Sequence, residues 1–374
     1  MEMGSITAAL VAVASLTHIR ELGNKNYILL LNPFLDNQER VFYFKTSEAM
    51  RFYDNGGTIS KAYILHENKE WIKPLIAALD KYHIAYEEWF IHEGQLDLNT
   101  TPPAGVFYNR MSASSHTRGH RYAIELADPI LSWLEFYDRR VINSSRALQL
   151  EIRKIEQYLS LRQFGLKTPH TIATVGSSEI LQAAKTFGGK PFIIKPNRGG
   201  KGLGVQLFHS VKDLQDYSKM TSLQELSLDG VVLIQEYIPP KDKFIVRMEF
   251  IGGRFYYAVR VDTSDGFELC PADECVIDNK VTPTKLSAKP PRFKILEGID
   301  IPEISQCEAF LEANNIEIAG IEYVENDQGE RFIYDVNTNT NYNDEAEANS
   351  KSGYRGMERI AEFLSAELLK VDYA

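Results

Sequence analysis

Short apolar runs alternate with stretches of helical spacing through the first third of the chain. "NYILLLN" (26–32), closed by Asn-Pro, predicts a buried strand. "KAYILHE" (61–67), "AYEEWFIHE" (85–93) and "GVFYN" (105–109) predict three more. Between them, "KEWIKPLIAALDKYH" (69–83) repeats apolar positions at helical spacing, with Pro74 in an early turn. "RYAIELADPILSWLEFYDRR" (121–140) predicts a second helix, bent at Pro129. Strands that alternate with helices build an open α/β domain, placed here at residues 26–145 behind a lead-in of residues 1–25.

The pattern then resets. "NSS" (143–145) offers helix caps, and helical spacing runs on to Gly165, a C-terminal stop followed by Pro169. "PFIIKP" (191–196) and "VVLIQEYI" (231–238) predict strands flanking a glycine-rich loop. "KFIVRMEFIGGRFYYAVRVD" (243–262) predicts a hairpin around Gly252-Gly253. "EAFLEANN" (308–315) predicts a helix. "IAGIEYVENDQGERFIYDVN" (318–337) predicts a second hairpin turning near residues 327–329, and a final helix starts near Tyr354. No internal repeat or low-complexity segment breaks this order.

At 374 residues the chain has room for two or three domains. Apolar residues at 44% supply a large core. The formal net charge of −10 argues against nucleic-acid or anionic-membrane partners and leaves room only for a local basic pocket. Cys270, Cys275 and Cys307 form no CxxC pair, so they predict neither a disulfide framework nor a zinc site, and they fit a reducing cytoplasm. "ITAALVAVASLT" (6–17) is apolar like the centre of a secretion signal. No basic residue precedes it, and it is too short to span a bilayer.

Against that acidic background stands "KPNRGGKGLGV" (195–205), with four glycines, two lysines, an arginine and no acid. Lys195 ends an apolar strand. Gly199, Gly200, Gly202 and Gly204 let backbone N–H groups approach an anion, and Arg198 and Lys201 add charge. No GK[ST] opens a helix, so this is not a P-loop, and the glycines precede a strand, unlike a Rossmann turn. Further on, Asp335 and Asn337 are two apart on a strand and face one side, with Glu322 on the partnering strand. Three hard oxygen ligands suit Mg2+. Glu249 is a weaker candidate.

"FIIKPNRGGKGLGV" resembles the phosphate-covering loop of the ATP-grasp superfamily, and other matches follow in order over residues 105–365. The likeness is to the alpha-L-glutamate ligase and glutathione synthetase-like carboxylate–amine ligases. It implies a pre-ATP-grasp α/β domain (26–145), a small lid subdomain (146–235) and a C-terminal antiparallel-sheet catalytic subdomain (236–374). It implies Lys154 and Lys195 on the phosphates, and Glu236, Tyr237 and Ile238 on adenine. It implies Glu322, Asp335 and Asn337 on Mg2+, or on Mn2+ in its place. Asp335 stands where glutamate is commoner in that branch, and Glu322 where many relatives have aspartate. Arg247 and Arg260, at the two ends of one hairpin, match arginines that hold the γ-phosphate and an acyl phosphate.

The front-domain loop "YNRMSASSHTRGHRY" (108–122) follows a strand end, where α/β sheets bind ligands. Arg110 matches an arginine of the glutamate ligase branch and, with Ser112 and Arg118, is a candidate substrate anchor. "NTNTNYN" (337–343) departs from the branch; Asn339, Asn341 and Asn343 either line the substrate pocket or cap the next turn. "FELCPADEC" (267–275) departs as well. The implied activity is an ATP- and Mg2+-dependent ligase. It joins a small-molecule acid and amine through an acylphosphate, releasing ADP and phosphate, in the cytoplasm, with a homo-oligomer allowed. Two alternatives stand beside it. A nucleotide-binding scaffold or regulator predicts a damaged metal site. A ligase acting on a protein tail predicts a broad basic groove at the front-domain loop.

Overall fold

The computed structural model describes residues 60–200, 202–263 and 292–372, together with the backbone of three strands ahead of them. Those strands, β1 (Ile19–Glu21), β2 (Tyr27–Leu31) and β3 (Val41–Lys45), form an antiparallel sheet in the order β1-β2-β3. The strand expected in "NYILLLN" is β2, and it belongs to this sheet rather than to the open α/β sheet that follows.

That sheet contains β4 (Lys61–His66), β5 (Tyr86–Phe90), β6 (Gly105–Asn109) and β7 (Arg140–Ile142), parallel, in the order β5-β4-β6-β7. Helix α1 (Lys69–Lys81) is started by Asn68, whose Oδ1 accepts from the N–H groups of Glu70 and Trp71 at 3.0 and 3.1 Å. It runs through Pro74, and α2 (Ala123–Phe136) runs through Pro129.

The single helix expected after "NSS" is two helices, α3 (Ser145–Ile152) and α4 (Lys154–Gln163). Arg153 lies between them at φ −132°, ψ 86°. The cause is Asn197. Its carbonyl accepts from Lys154 N at 3.3 Å, and its Oδ1 accepts from Ile155 N at 3.1 Å, so α4 is capped from outside. Asn143 caps neither helix with its side chain. It bonds to the backbone of Glu317, Ile318 and Thr338 and so bolts the front sheet to a later strand.

A small antiparallel sheet follows: β8 (Thr171–Thr174), α5 (Ser177–Lys185), β9 (Phe192–Pro196), β10 (Gln206–Phe208), α6 (Val211–Ser218) and β11 (Val232–Glu236), with strand order β10-β9-β11-β8. Phe192, Ile194, Val232 and Ile234 pack beneath Ile180, Ala184 and Leu214 of its two helices. The larger sheet has β12 (Phe244–Ile251), β13 (Arg254–Asp262), β14 (Phe293–Leu296), β15 (Ile318–Glu325) and β16 (Arg331–Asn337), antiparallel, in the order β14-β13-β12-β15-β16. Helix α7 (Glu303–Ala313) joins β14 to β15, and α8 (Asp344–Ala348) and α9 (Gly356–Asp372) close the chain.

Alternation along β12 sends Val246, Met248 and Phe250 into a core with α3, α4 and α7, leaving Ile245, Arg247 and Glu249 on the other face. Helix α9 returns to the front of the molecule. Its Ile360 and Leu364 share a core with Leu75 and Leu79 of α1, and Tyr82 Oη donates to Glu358 at 2.8 Å. Cys307 is buried and free, while Cys270 and Cys275 lie outside the described residues. Among the described residues no helix is long and apolar enough to cross a membrane.

Candidate active site

A cavity of about 390 Å³ lies between the small and large sheets and reaches the front-domain loop. Lys195, delivered by the end of β9, and Lys154, the first residue of α4, both line it and are both buried. Lys195 donates to Tyr158 Oη and to the Tyr334 carbonyl. Burial pushes its ammonium down to about 7, and Lys154 beside it adds to the fall. Burial also works against the Lys154 ammonium, but Asp335, with which it pairs, outweighs it and holds it above the ordinary lysine value. Two lysines in one cavity thus start in different states.

The glycine loop covers this end. Gly199, Gly200 and Gly202 line the cavity; Gly204 does not, and its φ of +76° instead turns the chain into β10. A Cβ on Gly200 would meet Ser114 at 3.4 Å, so the loop sits against the front domain. Arg198 does not offer its charge to the cavity. Its guanidinium holds Glu125 of α2 at 2.6 and 3.3 Å and pins the loop in place. Lys201 lies outside the described residues.

Glu236, Tyr237 and Ile238 line the opposite end. Glu236 is tied to His170 twice, donating its N–H to the carbonyl at 2.9 Å and accepting from the His170 N–H at 2.6 Å through Oε1. Tyr237 N donates to Pro191 at 3.3 Å. Among the described residues the N–H of Ile238 has no hydrogen-bond partner, so this donor is available to a flat heterocycle.

Beside the two lysines, Glu322 of β15 stands opposite Asp335 of β16, and Asn337 stands opposite Gly320. All three functional candidates line the cavity. Glu322 accepts from Arg247 Nη1 at 2.9 Å, from Tyr334 Oη at 3.0 Å and from Asn337 Nδ2 at 3.4 Å. Burial raises the Glu322 carboxyl above its usual range despite Arg247. Burial also acts on Asp335, but Lys154 and Lys195 overcome it and hold that carboxyl low. Among the described residues no three His, Cys, Asp or Glu side chains cluster, and the oxygen-bearing side chain beside the two carboxylates is that of Asn337. An all-oxygen set with two carboxylates fits a hard cation such as Mg2+.

Arg247 organises this end. It donates to Glu249 at 2.6 Å, to Glu322 at 2.9 Å and to Thr340 Oγ1 at 2.6 Å, and Thr340 in turn donates to Glu249 at 2.8 Å. Glu249 is therefore a holder of Arg247, and burial raises its carboxyl. The guanidinium lies so close across Gly320 that an added Cβ would collide with Nε, Nη2 and Cζ. Gly320→Ala should therefore displace Arg247 and lower stability by about 1–3 kcal/mol, the usual cost of overpacking, read as a fall in Tm.

Arg260 does not join Arg247. Around the Gly-Gly turn Ile251 pairs with Arg254 and Phe250 with Phe255, but beyond a bulge Glu249 pairs with Tyr257. The extra residue places Arg260 opposite Val246, on the other face of the sheet, with its guanidinium 4.4 Å over the Phe244 ring. An arginine expected on the acyl phosphate thus points away from the cavity.

Ser112 lines the cavity, its Oγ 2.9 Å from that of Ser114. Arg110 and Arg118, expected as substrate anchors, are both engaged within the protein. Arg110 is buried and donates to Asn339 Oδ1 at 3.1 Å, the Thr340 carbonyl at 2.9 Å and Asn341 Oδ1 at 2.8 Å. Arg118 grips the buried Glu67 at 3.0 and 2.5 Å and lies 4.8 Å over Trp71. Asn339 and Asn341 line the cavity, whereas Asn343 caps α8 by accepting from Ala346 N at 2.8 Å. The sequence reading misses Trp71, Glu151, Tyr158, Thr340 and Tyr334, all in or against this site. Glu151 carries one signal, its place three residues before Lys154; the others are brought in by packing alone.

No protein-family model matches the sequence, and no curated protein is significantly similar to it. Solved structures are similar in fold. The D-cycloserine synthetase DcsG shares 16% identity at a TM-score of 0.57, over 82% of this chain and 99% of its own. The ATP-grasp ligase PsnB, complexed with minimal precursor, Mg and ADP, shares 15% at 0.57, over 84% and 100%. The macrocyclase MdnC from Microcystis aeruginosa MRC, bound with precursor peptide MdnA, shares 14% at 0.54, over 81% and 99%. The parallel front sheet, the small antiparallel sheet and the large antiparallel sheet with a cavity between them are the ATP-grasp fold.

Proposed function

We propose that this protein is an ATP- and Mg2+-dependent ligase that joins a carboxylate to an amine. The observation that carries the reading is the convergence, in one cavity, of Lys154, Lys195, three loop glycines, Glu322, Asp335 and Asn337. Glu236, Tyr237 and Ile238 receive adenine. The glycine loop and the two lysines receive the phosphates. Glu322, Asp335 and Asn337 hold Mg2+, which when bound neutralises phosphate charge. Attack of the acid's oxygen on the γ-phosphorus breaks the bond to ADP and leaves an acylphosphate. The amine nitrogen then attacks the acyl carbon, the C–O bond to phosphate breaks, and the nitrogen's proton leaves with phosphate. Bringing two anions together requires such fixed positive charge, and Arg247 contributes to it beside Glu322. Against the scaffold alternative, the metal-binding carboxylates are both present and face each other.

A peptide acid or amine is the second reading, favoured by the likeness to PsnB and MdnC, each solved with a precursor. A basic docking groove does not support it, because Arg110 and Arg118 are spent inside the protein. The test is a substrate screen. Protein, ATP and MgCl2 are mixed with pools of amino acids, small acids and short acidic peptides, and phosphate release is followed together with product mass. Release that depends on one acid and one amine, with a product lighter than their sum by one water, is the expected result. Nucleotide binding without release from any pool would overturn the ligase reading.

A further inference from the structure

We infer that Glu151 is the seat of the acceptor's ammonium group, accepts the one proton that frees the nitrogen's lone pair, and so selects an amine as the nucleophile. The inference rests on the ligase reading and adds a residue that no match of motif assigns. Glu151 sits in the last turn of α3, is buried, and lines the cavity. Its Oε2 accepts from the Thr338 N–H at 2.7 Å and from Thr338 Oγ1 at 3.2 Å. Among the described residues its Oε1 has only the Ala113 N–H, at 3.5 Å. Among the described residues no lysine, arginine or histidine forms an ion pair with it. Lys154 acts on it from farther off and is itself paired with Asp335.

That sets it apart from its neighbours. Glu322 holds Arg247 and Asp335 holds Lys154. A buried carboxylate held by neutral donors alone is costly, and burial raises its pKa accordingly. A cation arriving with the substrate removes that cost. Position says which substrate. Thr338 follows Asn337 of the metal end, and Ala113 lies between Ser112 and Ser114 of the front-domain loop. Glu151 therefore joins the metal end to the front-domain loop, the side of the cavity to which the proposed reaction assigns the acyl group. Asp335 nearby adds to the negative field that an ammonium would meet.

The test separates the two halves of the reaction. Hydroxylamine is largely uncharged near neutral pH and traps an acylphosphate as a hydroxamate. Wild type and Glu151→Gln are each given ATP, MgCl2 and the common L-amino acids and acidic peptides as acids, with either hydroxylamine or an L-amino acid pool as nucleophile. Glu151→Gln should still form hydroxamate, while its KM for the amine rises about tenfold or more, the worth of one hydrogen-bonded charge. Glu151→Asp should recover part of the amine's KM. Equal loss of hydroxamate and amide in a variant that still shows an ATP-dependent rise in Tm would overturn the assignment and move Glu151 to the ATP half. An unchanged amine KM would overturn it too. If Glu151→Gln shows no such rise in Tm, Glu151→Asp carries the same comparison. Wild type that forms neither product fails the ligase reading itself, and this assignment with it.

Discussion

Asp335→Ala should cut ATP-dependent phosphate release by roughly 10²–10³-fold, about 3–4 kcal/mol, the range seen when one fixed charge-stabilising group is removed. Two losses combine. The metal end loses the carboxylate that Lys154 and Lys195 hold low, leaving Glu322, which is already engaged by Arg247. Lys154 loses the partner that keeps its ammonium charged and placed. The fold should survive, because the pair faces a cavity and Asp335 sits in a strand held on one side by β15 and on the other by α4. The checks are steady-state phosphate release and Tm with and without MgATP. Turnover near the wild-type level would remove Asp335 from the site. A collapse of Tm without nucleotide would instead make it a structural residue.

Much of this site can be read along the chain, and what cannot has a common cause. Lys195 is legible because a lysine closing an apolar strand before four glycines is a local pattern. Glu322, Asp335 and Asn337 are legible because strand alternation places them on one face. Arg260 misleads because the hairpin's turn is visible in the sequence and its bulge is not. Without the extra residue at Tyr256, Arg260 would stand opposite Ile245 and share the face of Arg247. The break between α3 and α4 is hidden because helical spacing continues through Arg153, and the cap that interrupts it comes from Asn197, far along the sequence. Arg110 and Arg118 look like anchors because nothing local shows that Asn339, Asn341 and Glu67 will fold back to occupy them. Alternation and turns are local; register, caps and ion pairs are decided by what arrives from elsewhere.

Affinity for MgATP should fall as pH rises from about 7, and Lys195 should be the reason. In the free protein its folded pKa of about 7 lies well below that of an exposed lysine, because burial and the charge of Lys154 both oppose the ammonium. The phosphates favour the charged form, so their binding raises that pKa. Between the free and bound values, binding therefore takes up a proton, and Kd climbs by up to about tenfold per pH unit. Below about pH 7 Lys195 is already charged and this dependence disappears. Lys195→Met should bind MgATP about tenfold to a hundredfold more weakly below that pH, the worth of a charged hydrogen bond, and should lose the added dependence above it. Calorimetry at about pH 8 in buffers of different ionisation enthalpy gives the proton count directly. Wild type should take up close to one proton more than Lys195→Met on binding. Equal uptake would mean that Lys195 does not meet the phosphates. The two lysines thus divide the work: Lys154 makes the contact with Asp335 while Lys195 favours the same carboxylate from farther off, and the arriving phosphates raise the charged share of Lys195.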